Sequence, residues 1–412
     1  MQIRPTTAQD LDLFVETLYT AFARFPDGPA DGPGGWFSAL EPERGLLALD
    51  QDGRAIGTAS AYTFELTLPG GALAPVSGVT AVGVLPSHRR RGVLTALMRR
   101  QLTELRARGE HLAVLLCSEA VIYRRFGYGP ATFTGRLTVD RARAALAPPR
   151  AAATAATAAP GSAPGTGSIE VLRRSQCTEL LEQVYDRYRR TRPGALSRPP
   201  RWWARGGGQP PVAPAARYVA VHRAADGTPD GYAAYSLNEP DTLLVDETIA
   251  ADDAVVNALT AFLLGHDLVA RVVFKHFAPD HPLRWQLADT RAAEATHYGD
   301  WLWARVLDVP GALTARGWQA DGELVLDVTD PFLGEHHRLA LTTRSGEARC
   351  TPTERPADLT LDISDLGAIL LGGTAPTTLV RAGHVLARTT EAAATADALF
   401  RAEREPHCLH WF

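Results

Sequence analysis

The segment Val79–Leu102, VTAVGVLPSHRRRGVLTALMRRQL, constrains the fold more than any other part of the chain. Ser77–Leu85 is apolar and β-rich. Pro86 ends it, because proline offers no amide proton to a ladder and biases its predecessor toward extended backbone. Apolar residues then recur at helical spacing at Leu94, Leu97, Met98, Leu102 and Leu105, and Gly109 supplies the stop. A strand, a turn of arginine and glycine, and a helix starting near Gly92 are therefore predicted in direct succession. The first N–H groups of a helix lack partners and sit at the positive end of its dipole, so such a turn suits phosphate oxygens. Gly92 lets the backbone approach a pyrophosphate, and Arg89, Arg90 and Arg91 add charge. A merely solvated arginine turn is the competing reading. Neither G-x-G-x-x-G nor a following Lys-Ser/Thr is present, which disfavours dinucleotide and P-loop readings. Alone, the segment specifies an anionic cofactor, best matched by a pyrophosphate.

The flanking sequence extends this grammar. Thr7-Ala8-Gln9-Asp10 offers an N-cap before an apolar helical pattern at Leu11, Leu13, Phe14, Leu18 and Phe22. Gly45–Ala48 and Arg54–Phe64 read as strands about the turn Asp52-Gly53, and Leu112–Cys117 as a continuous apolar strand. This mixed α/β unit runs to residue 143. Residues 144–168 contain ALAPPRAAATAATAAPGSAPGTGS, which has nothing to build a core from and reads as a linker. From 169 to 305 the order of helix, strands, helix and strand returns without the glycine–arginine turn, as in a duplicated domain that has lost its cofactor site. From 306 to 412, strands at Leu324–Val328, Arg338–Thr343 and Leu359–Ile363 and helices at Asp365–Leu371 and Ala392–Arg404 make an α+β pattern. The chain ends in Leu409-His410-Trp411-Phe412, apolar where termini normally fray into solvent.

Composition removes several classes. With 42 basic and 46 acidic residues the formal charge is −4, which weighs against a polyanion-wrapping protein. The arginines between Arg187 and Arg205, interleaved with Tyr188, Trp202 and Trp203, then read as an exposed face or subunit contact, and no nucleic-acid partner is expected. No apolar run approaches the roughly 18–20 residues of a membrane span, and the N-terminus shows no apolar signal region, so a cytoplasmic protein without a membrane partner is expected. Four scattered cysteines without a CxxC pair, and dispersed histidines, argue against a disulfide framework or a metal site.

Arg89-x-x-Gly92 after a strand ending Val82-Gly83-Val84 resembles the coenzyme A motif of the GNAT acyltransferases, with Leu94 where a small residue is usual. Cys117–Thr132, CSEAVIYRRFGYGPAT, together with RRRGVL, closely resembles the enhanced intracellular survival (Eis) N-acetyltransferases. That resemblance implies an α/β fold in three parts. They are an N-terminal GNAT domain over 1–143, a degenerate GNAT-like domain over 169–305 and a sterol-carrier-protein-like α+β domain over 306–412. It further implies acetyl-CoA as acetyl donor, no metal, and a homohexamer. The strands at Val82–Val84 and Ala113–Cys117 would splay, and the backbones of Val82 and Val84 would hold pantetheine. Arg89, Arg90, Gly92, Val93 and Leu94 would surround the phosphates, and Ser118 and Glu119 would line the adjacent cofactor and substrate region. Tyr123 falls on the family's general acid and Tyr128 on its packing aromatic. Phe412 would bring the chain's own terminal carboxylate into the site as base. Phe25, Asp27 and Trp36, with Phe37 and Glu41 nearby, lie where the family forms its substrate pocket. Trp411 brings no acidic group beside the terminus.

The chemistry is consistent with these assignments. An alkyl amine has a pKa of about 10.4 and must lose a proton as it attacks, while a leaving thiolate is best met by an acid such as tyrosine. A terminal carboxylate of pKa about 3.5 is a feeble base unless desolvated or acting through water. The expected function is acetyl-CoA-dependent N-acetylation of primary amines on cationic small molecules, aminoglycosides first, with polyamines and lysine side chains as further acceptors. The alternative is a non-catalytic lipid- or partner-binding protein on the same scaffold.

Overall fold

The computed structural model describes residues 1–23, 40–147, 167–203, 218–239 and 241–412. The expectations placed on Phe25, Asp27, Trp36 and Phe37, and most of the 144–168 linker, fall outside the described residues. The chain divides into two compact units, the first made of Met1–Thr132, Pro193–Pro211 and Asp300–Phe412, the second of Phe133–Arg192 and Val212–Gly299.

The first unit opens with β1 (Gln2–Pro5), α1 (Leu11–Ala21), β2 (Leu46–Leu49), β3 (Ala55–Thr67), β4 (Leu73–Val84), α2 (Val93–Ala107), β5 (Leu112–Leu116), α3 (Ala120–Arg124) and β6 (Gly129–Pro130). The Asp10 carboxylate accepts from the N–H (2.8 Å) and hydroxyl (2.9 Å) of Thr7, which stabilises the turn entering α1. Asp50 accepts the N–H groups of Asp52 and Arg54 at 2.9 Å each, and Gly53 takes the left-handed conformation that closes the β2–β3 hairpin. β3 and β4 pair antiparallel along nearly their whole length. β4 and β5 pair parallel, and only at Val76–Leu112, Ser77–Ala113 and Gly78–Val114. Past Gly78 the two strands part, a fork at the centre of the sheet.

The second unit holds β7 (Phe133–Asp140), β8 (Ser168–Arg173) and α4 (Thr178–Arg189); α5 (Pro200–Trp203) returns to the first unit. The second unit resumes with β9 (Tyr218–Arg223), β10 (Pro229–Glu239), β11 (Thr242–Ala250), α6 (Asp253–Leu264), β12 (Arg271–Phe277), α7 (Leu283–Gln286) and β13 (Ala293–Asp300). Its sheet order is β13-β7-β12-β11-β10-β9-β8. β11 and β12 repeat the parallel pairing, ending at Val245–Phe274, with a bulge opposite it in the β10–β11 register. The next residues differ in kind. Lys275 Nζ lies 2.5 Å from Asp246 Oδ1, and the Tyr232 hydroxyl donates to Glu247 at 2.8 Å. At the corresponding register of the first sheet stand the apolar Val79 and Leu115.

The chain re-enters the first unit with β14 (Leu302–Val306), which lies between β5 and β6 and is antiparallel to both. It continues through α8 (Val309–Ala315), β15 (Gly322–Asp330), β16 (Glu335–Arg344), β17 (Glu347–Pro352), β18 (Leu359–Asp362), α9 (Ile363–Ile369), α10 (Pro376–Arg381), β19 (Leu386–Ala387) and α11 (Thr390–Phe400). These strands form a separate sheet ordered β17-β16-β15-β18-β19. Asp362 caps α9 by accepting the Ser364 N–H at 2.8 Å, so this helix starts two residues before the predicted Asp365. Each of the first two sheets thus has one inner strand, second from its edge, supplied from outside the run that builds its neighbours: 133–140 follows β6 but pairs in the second sheet, and 302–306 follows β13 but pairs in the first. One apolar cluster runs from Phe64, Val76, Leu112 and Leu302 to Leu326, Leu366, Phe400 and Phe412, so the C-terminal sheet and the first sheet share a core.

Two histidines of the second unit make its stability acid-sensitive. Burial pushes His276 down to about 4, with Lys275 adding to the effect. Burial likewise pushes His281 to about 4, aided by Arg192. His281 Nδ1 accepts the Leu283 N–H at 3.2 Å, which requires a neutral ring. Below pH about 6.5 the unfolded chain gains protons that the folded chain refuses. Each histidine should then cost about 1.4 kcal/mol per pH unit down to its folded pKa. Urea midpoints measured from pH 7.5 to 5 should fall steeply, and His281→Phe should flatten the slope; equal slopes would refute neutral burial.

Candidate active site

The fork exposes one edge of β4. Leu85 N donates to Ile56 O at 3.0 Å, so Leu85 and Gly83 direct their peptide groups toward β3. Strand alternation turns those of Val84 and Val82 toward the gap, and both residues are half-buried there. Thr58 pairs with Gly83 but Ser60 with Thr80, leaving a β-bulge at Ala81-Val82. Ala81 has φ 51°, and its carbonyl accepts the Thr58 hydroxyl at 2.8 Å. A bulge sharpens local twist and re-aims the strand, here at the mouth of the gap.

The turn after Pro86 carries two left-handed residues, Arg90 (φ 62°) and Gly92 (φ 80°). No heavy atom lies within 4 Å of where a Gly92 Cβ would stand, so the glycine answers a backbone angle and not a shortage of space. The first bond of α2 runs from Ala96 N to Gly92 O at 3.0 Å, which leaves the N–H groups of Val93, Leu94 and Thr95 without intrahelical acceptors. The Val93 side chain is buried and Leu94 half-buried in the core, so these residues can offer a ligand only backbone. Arg90 and Arg91 are exposed. Arg89 is exposed as well; its Nη2 donates to Ala21 O at 2.8 Å, closing the C-terminus of α1, and its Nε lies 3.4 Å from Val84 O at the edge of the gap.

Ser118 and Glu119 are exposed after β5, and α3 follows. Tyr123 packs with Val79, Val82, Cys117 and Tyr128 in one cluster on this side of the fork. Its phenol is pushed up to about 12, first by burial and then by Cys117 and Glu119. Burial pushes the Cys117 thiol to about 11, with Asp300 and Glu119 contributing, so two carboxylates bear on this corner. Asp300 was not singled out from the sequence, and no motif or periodicity marks it. The rings of Tyr123 and Tyr128 meet edge to face at 6.0 Å, and the Tyr123 carbonyl accepts from Phe126 N (3.0 Å) and Tyr128 N (3.3 Å). The intervening glycines have definite causes. Gly127 has φ 85° and packs against Arg305 and Ile363, while a Cβ on Gly129 would collide with the Ser364 carbonyl of α9. Glu41 spends its carboxylate locally, accepting Thr63 N at 2.9 Å and the Thr63 hydroxyl at 2.6 Å and pairing with Arg201.

The C-terminal tail has no ladder partners, yet Pro406–His410 and Phe412 are buried. Pro193 O accepts the His407 N–H at 2.8 Å. The fully buried His410 ring sits 4.7 Å from Trp202 and 5.0 Å from Phe64, ring centre to ring centre. Burial holds its imidazole far below the ordinary histidine pKa, with Arg198 acting in the same direction. Phe412 meets Phe64 at 5.2 Å, and a Cβ on Gly78 would come within 3.0 Å of the Phe412 ring. Gly78 is the last β4 residue paired to β5. Its missing side chain makes room first for the Phe64 ring, 2.5 Å from where a Cβ would stand, and then for the Phe412 ring at 3.0 Å, at the base of the fork.

A forked, bulged sheet with a glycine–arginine turn at the head of the following helix defines the GNAT class of acetyltransferase. Residues 2–131 and again 194–306 match the acetyltransferase (GNAT) domain family, and residues 309–409 match the sterol carrier protein domain family. The chain belongs to the Eis family of N-acetyltransferases. It is 34% identical over 397 residues to the N-acetyltransferase Eis of Mycobacterium tuberculosis, covering 93% of each chain. It is 35% identical over 427 residues to an uncharacterized N-acetyltransferase of Streptomyces avermitilis, spanning 100% of this chain and 99% of that one. The structure is similar to Eis1 from Mycobacterium abscessus, with a TM-score of 0.84 and 34% identity over the full length of both chains. Among the described residues no helix is long and apolar enough to cross a membrane.

Proposed function

We propose that this acetyltransferase moves the acetyl group of acetyl-CoA to a primary amine of a cationic small molecule, aminoglycosides first, with polyamines and lysine side chains as further acceptors. Tyr123 is the proton donor and the Phe412 carboxylate the proton acceptor. The observation that carries the reading is the seat of Phe412 against Gly78 at the base of the fork.

Coenzyme A fits the groups that are present. The N–H groups of Val93, Leu94 and Thr95 and the exposed Arg90 and Arg91 suit its phosphates. The gap-facing backbone of Val82 and Val84 suits the amides of its arm. Arg89 shapes this turn through Ala21. When bound, the thioester supplies an activated acyl carbon. Tyr123, its phenol held protonated, gives its proton to the departing sulfur, and the terminal carboxylate takes the proton that the amine sheds on forming its new bond to carbon. Glu119 and Asp300 favour a positively charged acceptor on this side. The family resemblance supports a homohexamer.

Thiol release from acetyl-CoA, followed with a panel of aminoglycosides, polyamines and lysine peptides, tests the reading. Silence across the panel would favour the non-catalytic alternative. Gly92→Val should raise the KM for acetyl-CoA about tenfold with kcat nearly unchanged, since a side chain at φ 80° costs about 1–2 kcal/mol. An unaltered KM would remove this turn from cofactor binding.

A further inference from the structure

We infer that Arg124 is a positioning residue for Tyr123, acting through Asp365 and His384 of the C-terminal part of the chain. The inference rests on the reading of Tyr123 as proton donor. Helix α3 has five residues, Ala120–Arg124, and no side chain caps its start at Glu119. A helix that short does not hold itself, so its orientation must come from what it touches. Arg124 is the residue after Tyr123. Its Nη2 lies 2.7 Å from Asp365 Oδ1 and 2.7 Å from His384 Nδ1, and the His384 nitrogen is 3.8 Å from the same carboxylate oxygen.

Asp365 is not a surface partner. Its side chain is 3% exposed, on a helix whose seven residues are all buried. Burial raises its carboxyl pKa, and Arg124 is the leading group opposing that rise. Removing the guanidinium would leave a buried carboxylate with little to offset its desolvation, which makes the contact selective for one placement of Arg124. His384 can accept from the guanidinium only through a neutral nitrogen, which fixes the fork of donors further. The same helix receives the turn after α3, where Gly127 packs on Ile363 and Gly129 on the Ser364 carbonyl. The segment bearing Tyr123 is thus pinned to α9 at two places, once by charge and once by close backbone approach. The part of the chain that ends in Phe412 also sets the placement of the phenol. Proton transfer tolerates little misplacement, about 1 Å being enough to cost as much as a hundredfold in rate.

The test uses the full-length protein carrying Arg124→Met or Asp365→Asn, each alone and combined with Tyr123→Phe. Arg124→Met should lower kcat about 10–30-fold with the KM for acetyl-CoA within about threefold. Arg124→Lys should recover part of the loss. In the Tyr123→Phe background the Arg124 substitution should have no further effect, because the group it places is gone. Should Arg124→Met fold poorly, the pair Arg124→Met with Asp365→Asn removes both charges together and carries the same expectation. A folded variant with unchanged kcat overturns the inference, and so does an equal loss with and without the Tyr123 hydroxyl, which marks a purely structural contact. Full activity of Tyr123→Phe alone would overturn the donor assignment instead, so the two failures are separable.

Discussion

A glycine pair appended after Phe412 should abolish turnover while the protein stays folded and still binds acetyl-CoA. The extension converts the terminal carboxylate to an amide, which cannot accept a proton, yet leaves the ring to pack on Phe64 and Gly78. Deleting Phe412 should be as damaging to kcat for a second reason: it moves the carboxylate back by one residue, about 3.3 Å, beyond hydrogen-bond tolerance. The deletion also removes a buried ring and should cost roughly 2 kcal/mol of stability, so the two variants separate loss of charge from loss of packing. Kinetics, calorimetric acetyl-CoA binding and thermal melts on both variants make the comparison. An active extended enzyme would exclude the carboxylate from the reaction.

Tyr123→Phe should lower kcat by about 10²–10⁴-fold with little change in cofactor affinity. The pH dependence carries a sharper signature. Burial, then Cys117 and Glu119, push the phenol up to about 12, above the ordinary tyrosine value, so a donor there would stay loaded across the working range. The wild-type rate should therefore rise as the acceptor amine is deprotonated and should show no decline from loss of the donor before pH 10. A basic limb near pH 9 that vanishes in Tyr123→Phe would mean a phenol far less shielded than its packing indicates. Turnover unchanged by the substitution would end its assignment as acid.

Much of the first unit is legible in the sequence, for identifiable reasons. Pro86, Gly92 and the helical repeat from Leu94 place a strand, a turn and a helix because each acts locally on backbone angles. Thr7-Ala8-Gln9-Asp10 and Asp52-Gly53 are equally local signals. The fork is not local. An apolar strand such as Leu112–Leu116 looks the same whether it pairs over three residues or along its whole length, and Ala81 gives no hint that it will bulge. Arg89 reads as a phosphate ligand by position in a motif, and nothing in that motif announces its further contact with the end of α1, between residues 68 positions apart. Gly78 looks like a weak strand residue until the Phe64 and Phe412 rings beside it are seen. Asp300 and Asp365 are single carboxylates whose importance lies only in their surroundings. The tail is the exception: its apolar ending is visible in composition and meaningful in three dimensions, because only a packed terminus keeps such residues from water.

The exchange of strands between the two sheets has a consequence for dissecting this enzyme. A fragment halted after the first acetyltransferase segment would lack Leu302–Val306 and would bare Leu112–Leu116, an unprotected apolar edge of the kind that templates aggregation. A fragment beginning at the second segment would lack Phe133–Asp140 and leave Arg271–Phe277 without one neighbour. Each half should therefore fail when excised alone, since each relies on a strand that only the longer chain supplies.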